Sequence, residues 1–204
     1  ASASATAPWL LTVEYYVEEL QAVADALVGG GPFHVIGSSW GTVVAQEYAL
    51  QAAPVGPELL SLVLSGPLSD GQLYINSQWD EVEGGLGTLP LFTQQRIRAL
   101  EATPGGFKTE EYRLLNEVLE AAFTVRTYPA PDCFKRAAGL LNEEIYVGMQ
   151  GASEFTIGGV LASWSVTAQL PRVRTPTLLT HGRFDTMRPP VLRAMAAALP
   201  NAKV

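Results

Sequence analysis

Apolar positions along this 204-residue chain change their period several times, and the changes divide it into elements. Between residues 12 and 27, Val13, Tyr16, Val17, Leu20, Val23, Ala24 and Leu27 recur at helical spacing, and Gly29 to Gly31 end the pattern, so a helix is predicted. Residues 33–36 form a short run with a β-branched centre, closed by Gly37, and read as a strand. Residues 42–51 return to a helical pattern, with Val43, Val44, Ala45, Tyr48 and Ala49 apolar. Residues 60–64 are a second buried strand, broken by Gly66-Pro67. The middle of the chain, from Asp70 to Ala168, is mainly helical and aromatic-rich. Helices are predicted at 90–102, 109–123, 131–141 and 143–149, with Pro and Gly between them. A continuous apolar run at 176–180 reads as a strand, 191–199 as a helix, and 201–204 as the opening of another strand. No fixed repeat period is visible.

Strands that alternate with helices predict an α/β fold with a mostly parallel sheet. A helical block between two strands of one sheet reads as a cap over the carboxyl ends of the strands, where open α/β sheets bind ligands. The expected organisation is a core segment at 9–69, a helical cap at 70–168 and a second core segment at 169–204.

Composition narrows the function classes. At 48% hydrophobic and 16% charged residues, the chain can build a sizeable core. A formal net charge of -7 and a pI of about 4.8 suit phosphate backbones poorly, so no nucleic-acid partner is expected. No run reaches the length of a membrane span, so no membrane partner is expected either. The single cysteine, Cys133, cannot form an intrachain disulfide; a reducing compartment is allowed, and a cytoplasmic location is the expectation. Cys133 and the two separated histidines make no metal cluster, and no cofactor is expected. The small polar stretch at 1–8 lacks the features of a signal peptide and reads as a linker or an arbitrary cut.

The chemistry centres on Gly37-Ser38-Ser39-Trp40-Gly41, which fits G-x-S-x-G between a predicted strand and a predicted helix. In that setting a serine sits on a sharp, strained turn that projects its hydroxyl from the sheet. Side chains at Gly37 and Gly41 are expected to crowd the turn. The helix behind Ser39 points its N-terminal partial charge at the reacting centre, and the Trp40 backbone N–H is placed to donate to an oxyanion.

From His34 to Leu50, HVIGSSWGTVVAQEYAL resembles the elbow of proline iminopeptidases, with Thr42 where that family usually has a glycine. The run Glu144-Ile145-Tyr146-Val147-Gly148-Met149-Gln150-Gly151, then Ser153-Glu154-Phe155, Gly159, Leu161 and Trp164, is similar to that family's segment before its last core strands. Pro176-Thr177-Leu178-Leu179 with Gly182-Arg183-Phe184-Asp185 resembles its acid strand and loop. The resemblance spans about residues 9–204 and implies an α/β-hydrolase fold and a serine aminopeptidase acting on small peptides or amino-acid amides. It implies that Ser39 is the nucleophile and Asp185 the triad acid, holding a histidine in the right tautomer. It implies further that Glu154 binds the substrate amine, and the Trp40 side chain could line a pocket for a proline ring. Glu143 and Glu144 read instead as a solvated face.

The order in this fold is Ser, acid, His, yet His34 and His181 both precede Asp185. His34 is expected to point into the sheet packing. The family's histidine falls past Val204, and its His-Gly-Gly-Pro loop would precede Ala1; the sheet is thus expected to lack its first strands and the end of its last. The chain by itself is therefore expected to be inactive and, with open sheet edges, marginally stable or prone to aggregate. Two other readings remain open: an esterase or amidase on the same fold, and a non-catalytic binding module that keeps the cap pocket.

Overall fold

The computed structural model describes residues 7–52 and 58–204. Four strands, β1 (Phe33–Ser38), β2 (Leu59–Ser65), β3 (Thr177–Thr180) and β4 (Ala202–Lys203), form one parallel sheet in the order β1-β2-β3-β4. Helix α1 (Val13–Val28) precedes β1, α2 (Trp40–Ala52) joins β1 to β2, and α8 (Pro189–Ala198) joins β3 to β4. Between β2 and β3 lie α3 (Gly71–Gln78), α4 (Leu91–Glu101), α5 (Glu110–Phe123), α6 (Asp132–Ala138) and α7 (Glu143–Met149). This is the α/β order that the apolar periods predict, with the helical block inserted between two neighbouring strands.

Local chemistry explains the helix ends. The Thr12 hydroxyl accepts from the Tyr15 N–H at the start of α1, Thr109 from Tyr112 at the start of α5, and Asn142 from Ile145 at the start of α7. Gly29 ends α1 in the left-handed conformation at φ 61°. Helix α3 has no counterpart among the predicted elements. Its sequence, GQLYINSQ, opens on Gly and carries no apolar stripe; it is fixed instead by Asp70, whose carboxylate accepts from Leu73 N–H at 2.6 Å, and by burial of Tyr74, Ser77 and Gln78. A 3₁₀ turn at Pro8–Leu11 was likewise not expected. The linker reading of 1–8 lies outside the described residues as far as residue 6.

The core forms on one face of the sheet. Leu62, Leu64 and Leu179 are buried there with Val43, Ala45 and Tyr48 of α2, Val13 and Val17 of α1, and Val191 and Met195 of α8. Tyr74, Met149, Ile157 and Leu161 from the inserted segment join the same cluster, while Leu86, Ile97, Leu100, Tyr112, Leu119 and Phe155 make a separate one inside the insert. The opposite sheet face is open: Ile36 is 76% exposed and Leu178 41%. His34 lies on that open face, exposed, with Nδ1 2.7 Å from the Ser61 hydroxyl. The expectation that His34 points into sheet packing is thus corrected. The strand alternation puts Val35 and Gly37 toward the core and His34 and Ile36 away from it.

Candidate active site

Three loops at the carboxyl ends of β1, β2 and β3 build the site. After β1, Ser39 turns the chain directly into α2 and is the one non-glycine residue with positive φ among those described, at 49°. That left-handed conformation is strained for a residue with a Cβ. It persists because the turn is tied on both sides: Ser39 N–H donates to Ser65 O of β2 at 3.0 Å, and Ser39 O accepts from Thr42 N–H at 2.8 Å and from the Thr42 hydroxyl at 2.7 Å. Thr42, the residue at which the elbow departs from the family pattern, is fully buried and serves as this tether. A Cβ on Gly37 would stand 2.4 Å from Gly41 O, so the turn requires glycine there. Gly41 is different, since a Cβ there would meet nothing within 4 Å; crowding explains one of the two glycines and not the other.

After β3, Asp185 folds back across the loop. One carboxylate oxygen accepts from Met187 N–H at 2.9 Å, the other from Gly182 N–H at 3.2 Å. Gly66, at φ 56° after β2, leaves the room: a Cβ there would come within 3.3 Å of the Asp185 carboxylate. Two residues that sequence reasoning passed over hold this loop to the insert. Gln78, fully buried, donates to Thr186 O at 2.6 Å, and Arg188 bridges Asp185 O and Glu83 O. Burial pulls the Arg188 pKa down and the nearby Asp185 and Glu83 carboxylates act against it; a guanidinium stays charged regardless.

Ser39, Glu154 and Met187 lie between two adjoining cavities. One, of about 500 Å³, holds Asp185, Thr124, Arg126 and Arg183. The other, of about 510 Å³, is largely apolar, walled by Trp40, Tyr16, Leu68, Met149, Ile157 and Leu161. The Trp40 ring meets Tyr16 edge to face, centroids 5.3 Å apart, and lines this apolar space. Glu154 is half-buried. Its carboxylate accepts from the Tyr146 hydroxyl at 2.5 Å, and its backbone carbonyl from the Tyr74 hydroxyl. Burial first, then the Glu154 charge, push both phenols far above their ordinary pKa, so they remain protonated donors. Neither tyrosine carries a sequence signal for this role; Tyr146 sits inside the run before Glu154, and Tyr74 lies in the unpredicted α3. Glu143 and Glu144 are exposed, as expected.

Of the sequence-predicted residues, the fold thus gathers Ser39, Trp40, Glu154 and Asp185 around two joined cavities. It does not bring His34 there, which is five residues back along β1 on the open face. His181 follows β3, its Nδ1 buried without a hydrogen-bond partner among the described residues, and it lines neither cavity.

Comparison with known proteins agrees with the fold. The profile of the α/β hydrolase family matches residues 3–204. The proline iminopeptidase of Heyndrickxia coagulans is 33% identical over 195 residues, covering 95% of this chain and 65% of that protein. That of Flavobacterium johnsoniae is 32% identical over 181 residues, covering 88% of this chain and 59% of that protein. The chain thus spans less than two thirds of the length of these relatives. The crystal structure of proline iminopeptidase from Mycobacterium smegmatis superposes with a TM-score of 0.82 at 27% identity, over 98% of this chain and 64% of that one. The expected resemblance to proline iminopeptidases is therefore borne out. With a parallel sheet, an inserted helical segment, a strained serine elbow and a profile match over almost its whole length, the chain belongs to the α/β hydrolase family.

Proposed function

We propose that this chain carries the nucleophile, acid and amine-binding parts of a serine aminopeptidase that releases N-terminal residues, preferably proline, from short peptides. The observation that carries the reading is that Ser39 and Glu154 share the walls of both cavities. A substrate's charged amine pairs with the Glu154 carboxylate, which Tyr146 orients. The N-terminal side chain enters the apolar space beside Trp40, and the carbonyl comes to Ser39. Attack by Ser39 Oγ, with the Trp40 backbone N–H facing the developing oxyanion, breaks the peptide bond and forms the acyl-enzyme; the serine proton passes to the leaving amine of the shortened peptide, and water then cleaves the ester, releasing the amino acid and restoring the serine hydroxyl. Asp185, its carboxylate fixed by two backbone N–H groups, is the acid that would orient the base. His34 is exposed on the open sheet face and His181 lines neither cavity, which supports the reading that residues 1–204 alone turn over slowly at best.

The test compares proline p-nitroanilide with p-nitrophenyl acetate on the full-length protein and its Glu154→Ala variant. Stripping the partner from a partly buried ammonium costs about 2–5 kcal/mol, so amide hydrolysis should fall at least roughly 30-fold while ester hydrolysis holds. An equal effect on both substrates would remove Glu154 from amine recognition and favour an esterase. Binding of prolyl peptides without turnover of either substrate would mark a non-catalytic module.

A further inference from the structure

The cavity shared by Ser39 and Asp185 carries two cations that the proposed peptidase chemistry does not use. Arg126, from the segment after α5, lies over the Phe184 ring with its guanidinium carbon 3.4 Å from the centroid. Arg183, from the acid loop, approaches the same ring at 5.6 Å. Both line the cavity and both are exposed. Among the described residues, neither forms an ion pair or donates a hydrogen bond to a protein acceptor, whereas Arg96, Arg113 and Arg193 all pair with glutamates. In a chain with 20 acidic and 13 basic side chains, two uncommitted arginines at one cavity mouth stand out against the overall charge. Contact with the Phe184 ring holds the Arg126 guanidinium in place while its N–H groups stay uncommitted, and a guanidinium grips a carboxylate through two parallel hydrogen bonds.

The acids on the same wall are held by other donors and pair with neither arginine. Asp185 already accepts from two backbone N–H groups, its main-chain carbonyl is held by Arg188, and Glu154 is engaged by Tyr146. The cavity wall therefore carries both signs, Asp185 and Glu154 against Arg126 and Arg183, with Ser39 lining it as well.

Resting on the aminopeptidase reading, we propose that Arg126 and Arg183 form a carboxylate subsite for the leaving group. The preferred substrates are then short peptides bearing a carboxylate on the residue after the scissile bond. That carboxylate comes from the free C-terminus of a dipeptide or from an acidic side chain at the second position.

The test is isothermal titration of the full-length Ser39→Ala protein, which cannot consume its ligand through Ser39. The probes are prolyl-alanine, prolyl-alanine amide and prolyl-glutamate amide. A charge-assisted hydrogen bond contributes about 1.5–3 kcal/mol, so at least one acidic probe should bind roughly tenfold or more tighter than prolyl-alanine amide. Preference for prolyl-alanine identifies the terminal carboxylate, and preference for prolyl-glutamate amide the side chain. Adding Arg126→Gln and Arg183→Gln, both at exposed positions, should bring the three affinities together. Equal affinities before that change, no measurable binding of any probe, or an unchanged preference after it would overturn the subsite. Glu154→Gln reads the amine site separately. It should weaken all three probes by one common factor, and if it does not, the amine-binding reading fails while the arginine comparison still stands.

Discussion

Ser39 holds a left-handed backbone that few residues with a Cβ tolerate, and the cost is local and measurable. A non-glycine residue in that region costs about 1–3 kcal/mol, part of which glycine would return through its greater freedom in the unfolded chain. Two substitutions that both remove the hydroxyl therefore separate strain from chemistry. Ser39→Gly should be more stable than Ser39→Ala by about 1 kcal/mol, read as a higher urea midpoint at constant m-value. Equal midpoints would mean that the tethers from Ser65 and Thr42 leave no strain to relieve. The elbow was legible because its signal is local: a glycine that sterics demand at 37, a serine, and a strand-to-helix switch. Glu154 and Asp185 were legible through the motifs around them. Gln78, Tyr146 and Arg188 were not, because each acts on a residue distant in sequence or inside an unremarkable helix, and no local pattern marks a side chain whose role is to orient another.

At the scale of elements, helices bounded by capping or breaking residues announced themselves, down to the seven-residue α7, and α3 did not. Helices α1 and α5 carry clear apolar stripes and capping threonines. Helix α3 has neither a stripe nor a good propensity, and burial against the core decides its state, so only tertiary structure could reveal it. The packing of α4 against α5 supplies a prediction of its own. Glu101 at the end of α4 accepts from the Tyr112 hydroxyl of α5 at 2.9 Å, and burial is the main reason its carboxyl pKa is raised. A carboxyl with a raised folded-state pKa binds its proton more tightly when folded. Its contribution to stability is therefore fully present below the ordinary carboxylate range and is lost as pH rises through the folded value. Glu101→Gln keeps an acceptor for Tyr112 without the charge. It should raise Tm at pH 7, and the gain over the parent should shrink toward zero near pH 4. A gain that is constant with pH would assign the effect to something other than the buried charge.

For the whole molecule, the decisive asymmetry is between the two faces of the sheet. One is sealed by α1, α2 and α8, while the other presents Ile36, Val63 and Leu178 in adjacent register across three strands. With Ile36 76% exposed, this row is a contiguous apolar surface lying on parallel strands, which ordinarily have both faces covered. Among the described residues, β1 also has a strand on one side only, leaving an edge open to pairing. The apolar periodicity of 33–36 and 60–64 predicted buried strands but could not say which face finds a partner, since alternation fixes sidedness and not occupancy. Residues 1–204 produced alone should therefore self-associate, driven by this face rather than by the acidic remainder of the surface. Replacing Ile36 and Leu178 together by lysine puts two like charges on the row without touching the sealed core. Sedimentation velocity should then show the weight-average mass falling toward that of a single chain at a concentration where the parent associates, and far-ultraviolet circular dichroism should be unchanged. If the parent is monomeric at high concentration, or if the double lysine variant associates as strongly, the contact lies elsewhere. The exposed Leu27 on α1 and Leu140 beyond α6 would then be the next positions to charge.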